Sequence, residues 1–178
     1  MKLLLLIGMA LWMQPDSVIV DFSTEGTVSN WRIVDDVVMG GRSDGRMAIN
    51  EEGNAVFSGR VSLENNGGFS SVRHGFRERQ VEGYHYFNIR LKGDGKKYQF
   101  RVRSDRSERH SYAYTIQTDG TWQTVLVPMA EMYPTWRGMK LNIPNYPGST
   151  LSEIVFLVGN KKNEAFRLEI DSVVLVSR

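Results

Sequence analysis

The stretch Tyr84-His85-Tyr86-Phe87-Asn88-Ile89-Arg90-Leu91 decides the fold class. His85, Phe87, Ile89 and Leu91 fall on one side of an alternating pattern, and Tyr84, Tyr86, Asn88 and Arg90 on the other. A period of two is that of an extended strand, whose successive side chains point to opposite faces. Gly93-Asp94-Gly95 then supplies a turn that tolerates positive φ. The next run sets Tyr98, Phe100 and Val102 inward and Gln99, Arg101 and Arg103 outward. Two more follow: Tyr112, Tyr114 and Ile116 alternate with Ala113, Thr115 and Gln117, and Trp122 opens a run to Val127 after Asp119-Gly120. The chain closes with Ile154 to Val158, Phe166 to Ile170 and Val173 to Val176.

Helical periodicity is thin; Met129 to Tyr133, after Pro128, predicts a single turn. Short strands at roughly ten-residue spacing, joined by Gly, Asn and Asp, predict an all-β fold: an antiparallel β-sandwich or jelly roll. At 178 residues, with no linker, repeat or low-complexity tract, residues 18-178 are expected to form one domain. Twenty-two Lys and Arg against 20 Asp and Glu leave a net charge of +2, without the basic excess that nucleic acid binding needs. Cysteine is absent, which removes disulfides, thiolate nucleophiles and Cys-type zinc sites together.

Lys2 followed by the apolar run Leu3 to Met13 has the span of a signal-peptide core, so residues 1-13 are read as a possible signal peptide. The run is shorter than the roughly 20 residues that cross a bilayer. A genuine leader predicts a periplasmic or secreted protein; without it the expectation is cytoplasmic.

Gly41-Arg42-Ser43-Asp44-Gly45 is a literal G-x-S-x-G, the elbow that presents a nucleophilic serine between a strand and a helix. Here Arg46 to Asn54 follows as a short, turn-rich, strand-like segment, so we read a glycine-rich turn. His74, His85 and His110 lie in separate elements without metal-ligand spacing, and no metal site is expected; His85, alternating with core residues, is expected to be packed. Adjacent Asp35 and Asp36 point to opposite faces of a strand and cannot act together across one bond. One of them is expected to accept from backbone N–H groups of the glycine turn. In Asn65-Asn66-Gly67-Gly68-Phe69-Ser70-Ser71-Val72-Arg73, a tight turn precedes a short strand, and Arg73 must be exposed or paired. If the strands pair in sequence, Asn88 and Arg90, then Gln99, Arg101 and Arg103, then Thr115 and Gln117 form one polar stripe. That stripe is either a binding face or a solvated sheet surface.

The segments Trp31-Arg32-Ile33-Val34-Asp35-Asp36-Val37-Val38-Met39-Gly40-Gly41-Arg42-Ser43, Phe57-Ser58-Gly59 and Val61 to Arg73 together resemble the complex I intermediate-associated protein 30 family. Gly93-Asp94-Gly95 with Tyr98, Trp122 with Pro128, and Phe166-Arg167-Leu168-Glu169-Ile170 extend the resemblance from about Val18 to the C-terminus. It implies a galactose-binding-like β-sandwich and a non-enzymatic, chaperone-like assembly role for respiratory complex I, on the matrix side in mitochondria, which a leader at residues 1-13 would contradict. Some members carry a dinucleotide-binding domain. With no G-x-G-x-x-G here, no cofactor is expected.

The expected function is therefore a non-catalytic binding module for another protein, with respiratory-complex subunits as candidate partners. The alternative is a carbohydrate-binding module of the cell envelope, with Arg101, Arg103, Tyr112, Tyr114 and Trp122 near one surface. Exposed aromatics there would favour sugar, buried ones core packing. Candidate binding residues are Arg73, Arg101, Arg103, Tyr112, Tyr114, Trp122 and Asn88. Trp31, Asp36, Met39, Gly40, Gly41, Asn66, Gly67, Gly68 and Phe69 are assigned to architecture, and none to catalysis.

Overall fold

The computed structural model describes residues 15–177; the apolar run at 1-13 lies outside them. The first strands are β1 (Ser17–Asp21), β2 (Trp31–Asp35), β3 (Asp44–Ile49), β4 (Ala55–Val61), β5 (Ser70–Gln80) and β6 (Tyr86–Lys92). They are followed by β7 (Lys97–Arg103), β8 (Ser111–Gln117), β9 (Trp122–Pro128), β10 (Tyr133–Trp136), β11 (Met139–Lys140), β12 (Thr150–Val158) and β13 (Glu164–Val176). One helical turn, α1 (Phe22–Glu25), is capped by the Asp21 side chain and ended by Gly26 at φ 62°.

The strands form two antiparallel sheets facing each other across one apolar core, as the alternation predicts. The six-stranded sheet runs β3-β4-β13-β6-β9, with β1 also on β13; the seven-stranded sheet runs β11-β10-β8-β7-β12-β5-β2. Phe87, Ile89 and Leu91 of β6 meet Phe100 and Phe156 of the opposite sheet, with Phe87 and Phe100 edge to face at 5.1 Å.

Pairing departs from the sequential order. β6 and β7 are consecutive but lie in different sheets, β6 against β9 and β13, β7 against β8 and β12. Alternation fixes which face a residue takes; it carries no information about which strand lies alongside. Phe166 to Ile170 and Val173 to Val176, read as separate runs, form one long strand with a bulge between Ile170 and Ser172. β5 runs 11 residues, longer than the short strand expected there. The turn expected at Met129 is a 3₁₀ turn, Met129–Glu131.

Candidate functional site

Two features grow out of the Trp31 to Arg73 region. The first is a knot around Asp36, fully buried just after β2. Its carboxylate accepts from Ser43 N (2.9 Å), Gly68 N (2.6 Å), Phe69 N (3.2 Å) and the Ser43 hydroxyl. Burial alone would raise its pKa; the Ser43 hydroxyl and the three backbone donors outweigh that and hold it below the ordinary carboxylate value. Gly41 and Gly67 are packed against the same carboxylate, and a Cβ on Gly67 would lie 2.6 Å from Oδ2. Asn65, Asn66 and Gly68 take positive φ (54°, 61° and 138°), as the Asn-Asn-Gly-Gly turn predicts, and Gly40 does so at 91°. Asp35, on the opposite side, accepts from Gly45 N and the Ser70 hydroxyl.

The knot disposes of the G-x-S-x-G reading. Ser43 is buried, donates its hydroxyl hydrogen bond to Asp36, accepts from Ser62 N, and is followed by β3 rather than a helix. Trp31, at the other end of β2 from Asp36, stacks on His74 at 5.0 Å and tilts against Phe22. The side chain of Met39 lies outside the described residues.

The second feature is the face of the seven-stranded sheet that points away from the core. Directly paired residues share a face, and the registers connect Tyr133, Ala113, Arg101, Val155, Arg73 and Arg32 into one row across β10, β8, β7, β12, β5 and β2. At about 4.8 Å per strand the row is roughly 24 Å long. Beside it Arg103 pairs with Glu153, which pairs with Gly75, and the guanidinium of Arg106 lies over Gly75. The apolar floor is shielded, Val155 being 1% and Ala113 0% exposed.

Charge on this face is unbalanced. Glu153 is the only acid in its paired rows and is shared between Arg73 (3.6 Å) and Arg103 (3.5 Å). The Nε–H groups of both arginines, and Glu153 Oε2, are buried without a hydrogen-bond partner among the described residues. Arg101 donates through Nε and Nη2 to the neutral Gln99 amide, at 2.8 Å for Nε, and makes no ion pair among the described residues. Burial pulls its pKa down to about 10, which still leaves it charged at neutral pH. Burial likewise lowers Arg73, against the pull of Glu153.

The sequence candidates divide among three places. Arg73, Arg101 and Arg103 come together on this face. Tyr112 and Tyr114 point into the core, where Tyr112 packs on Tyr146 at 5.3 Å. Trp122 and Asn88 sit on the outer side of the other sheet, where Arg90 lies over the Trp122 ring at 5.2 Å. The single polar stripe expected from sequential pairing is thus two faces. His85, expected to be packed, is exposed, because it precedes the first residue of β6. It lines a depression of about 490 Å³ with Tyr84, Tyr86, Met129 and Tyr146 at one end of the sandwich. Glu153, Arg32, Arg106 and Tyr133 were not among the sequence candidates. The available sign was Glu153 itself, the one charged residue of β12, set directly before the apolar run Ile154 to Val158.

The architecture matches solved carbohydrate-binding modules. The family 11 module of the cellulosomal cellulase Lic26A-Cel5E of Clostridium thermocellum aligns with a TM-score of 0.66 at 15% identity, covering 92% of this chain and 95% of that one. A point mutant of a family 29 module, CBM29-2, aligns at 0.54 with 12% identity over 92% and 93%. The agarase AgWH50C aligns at 0.59 with 13% identity, over 93% of this chain and 25% of its own length. These likenesses establish the jelly-roll fold. No curated protein matches the sequence. The family model does: residues 20–170 match Complex I intermediate-associated protein 30 (CIA30), and the chain belongs to that family.

Proposed function

We propose that this chain is a non-catalytic interaction module that engages a partner protein across the arginine-lined face of its seven-stranded sheet, in complex assembly as its family membership suggests. The observation that carries the reading is Arg101, a partly buried guanidinium with no acid beside it among the described residues. A folded chain gains nothing from desolvating an unpaired cation, so such a group points to a ligand that completes it. The commitment of Ser43 to the Asp36 knot supports the non-catalytic part. The test is capture from the native organism with the tagged full chain, comparing wild type with Arg101→Ala. Membrane or respiratory subunits should be enriched by the wild type and depleted with the variant. Equal recovery by both, or recovery of background alone, would overturn the reading.

A polysaccharide ligand is the second reading, favoured by the likeness to carbohydrate-binding modules, one of them solved with a β-1,3-1,4-mixed-linked tetrasaccharide. Against it, Tyr112 and Tyr114 are turned into the core and Trp122 lies on the other sheet, leaving Tyr133 as the aromatic of the row. Silence across a glycan array would remove it.

A further inference from the structure

The geometry points to the chemical class of the partner: we infer that the face takes an acidic segment of another protein, whose aspartates and glutamates meet Arg101, Arg73 and Arg32 along the cross-strand row. This inference rests on the reading of the chain as an interaction module. Arg32, Arg73, Arg101 and Arg103 against Glu153 leave +3 on this one face, more than the +2 of the whole chain. The remaining residues sum to about −1, so this face accounts for the whole positive excess of the chain. Arg106, reaching over Gly75, adds to the same side.

The arginines are held ready rather than spent on the fold. Glu153 cannot neutralise both neighbours, the Nε–H groups of Arg73 and Arg103 make no hydrogen bond among the described residues, and Arg101 has only an amide. A guanidinium presents paired donors that match a carboxylate with two parallel hydrogen bonds, so incoming carboxylates would satisfy groups left unpaired. A protein segment fits better than an acidic sugar chain. Tyr133 is the single aromatic of the row, and the Lys140 ammonium lies 5.5 Å from its ring centroid, so the row offers sugar rings little aromatic surface to stack on. Val155 and Ala113, the apolar residues of the row, are closed to solvent, so binding is led by charge and hydrogen bonds.

The row's length of roughly 24 Å corresponds to about seven residues of extended chain. The experiment is fluorescence anisotropy of the full chain with a labelled glutamate peptide of about ten residues, in low salt and in about 0.3 M salt. Polygalacturonate and a neutral mixed-linked glucan serve as competitors. Wild type should bind the peptide and lose about tenfold or more in affinity at the higher salt. Arg101→Ala should weaken binding about tenfold while unfolding at the same temperature, and Trp122→Ala, on the other sheet, should match wild type. No binding of the peptide, or equal binding by Arg101→Ala, overturns the inference. Polygalacturonate binding more tightly than the peptide overturns the choice of protein. Capture that depends on Arg101 but persists in high salt would refute the acidic-partner inference while sustaining the interaction module.

Discussion

Replacing Asp36 by Asn keeps the size of the side chain and changes only what it can accept. The carboxylate takes Ser43 N on Oδ1 and the Ser43 hydroxyl, Gly68 N and Phe69 N on Oδ2. An Asn oxygen can occupy one of those positions, and its NH₂ must then face donors. The better orientation keeps the oxygen on the Oδ2 side and sets NH₂ against Ser43 N–H, leaving that buried donor unpaired. An orphaned buried donor costs about 1–3 kcal/mol, and hydrogen bonds to a charged acceptor contribute about 1.5–3 kcal/mol, more than neutral ones. Losing one such bond and weakening three predicts roughly 3 kcal/mol of destabilisation at pH 7, against a typical total of about 5–15. For a chain of this size that lowers the melting temperature by about 6–12 °C. The sign with pH follows from the depressed pKa of Asp36. Its contribution is present above the unfolded value of about 3.9 and fades as the pH falls through the lower folded one. Urea unfolding of both proteins should therefore show the full gap at pH 7 and a gap that narrows as the pH falls below about 3.9 and through the lower folded value, where wild type takes up the proton and becomes Asn-like. A variant within about 1 kcal/mol of wild type at pH 7, with an unchanged denaturant slope, would refute the account of the knot.

Three further outcomes follow from the same contacts. Gly67→Ala should destabilise by about 2–4 kcal/mol in urea unfolding, since its Cβ would meet both Asp36 Oδ2 and the Ser62 carbonyl at 2.8 Å, a backbone atom that cannot swing away. Tyr98→Phe should lower stability by about 1–2 kcal/mol, because the phenol donates to Asp94 at 2.8 Å and accepts from Arg167 N at 3.2 Å. Trp122→Ala should alter thermal stability by less than about 1 kcal/mol in calorimetry, since it loses chiefly a partly exposed ring under Arg90.

How much of this was legible beforehand depended on whether the information is local. The strands of Tyr98 to Arg103 and Ser111 to Gln117 announce themselves by alternation, and they pair as neighbours do. The knot was half legible: Asn65 and Asn66 in left-handed conformations follow from the residue types. That Asp36 would span 32 residues to Gly68 does not, because the segment between them carries β3 and β4. The arginine face was the least legible. Arg101 and Arg73 share a row because β12, from the far end of the chain, enters between β7 and β5. Reading the strands as sequential neighbours instead joined Asn88 and Trp122 to Arg101, though a whole sandwich separates them.

That inserted strand is also what gives the face its character. β12 is buried on both sides, Ile154 and Phe156 toward the core, Val155 between Arg101 and Arg73 and Leu157 between Gln99 and Ser71 on the outer face, and from Ile154 to Val158 it reads as a continuous apolar run. An ordinary outer face of an antiparallel sheet would place polar, solvated residues at Val155 and Leu157. Here those positions are apolar, and Arg101 and Arg73, paired to Val155 from either side, are partly desolvated beside that strand. Glu153 alone returns a negative charge, and it sits beside Arg103 and one pair away from the row that holds Arg101. Exchanging Val155 for an acid would place a carboxylate directly between Arg101 and Arg73 and neutralise both from within. Val155→Glu should therefore bind acidic peptide at least as weakly as Arg101→Ala, while folding without loss because the new charge is paired on both sides. Unchanged peptide binding by a folded Val155→Glu protein would mean that the row is not where the charge of this face is used.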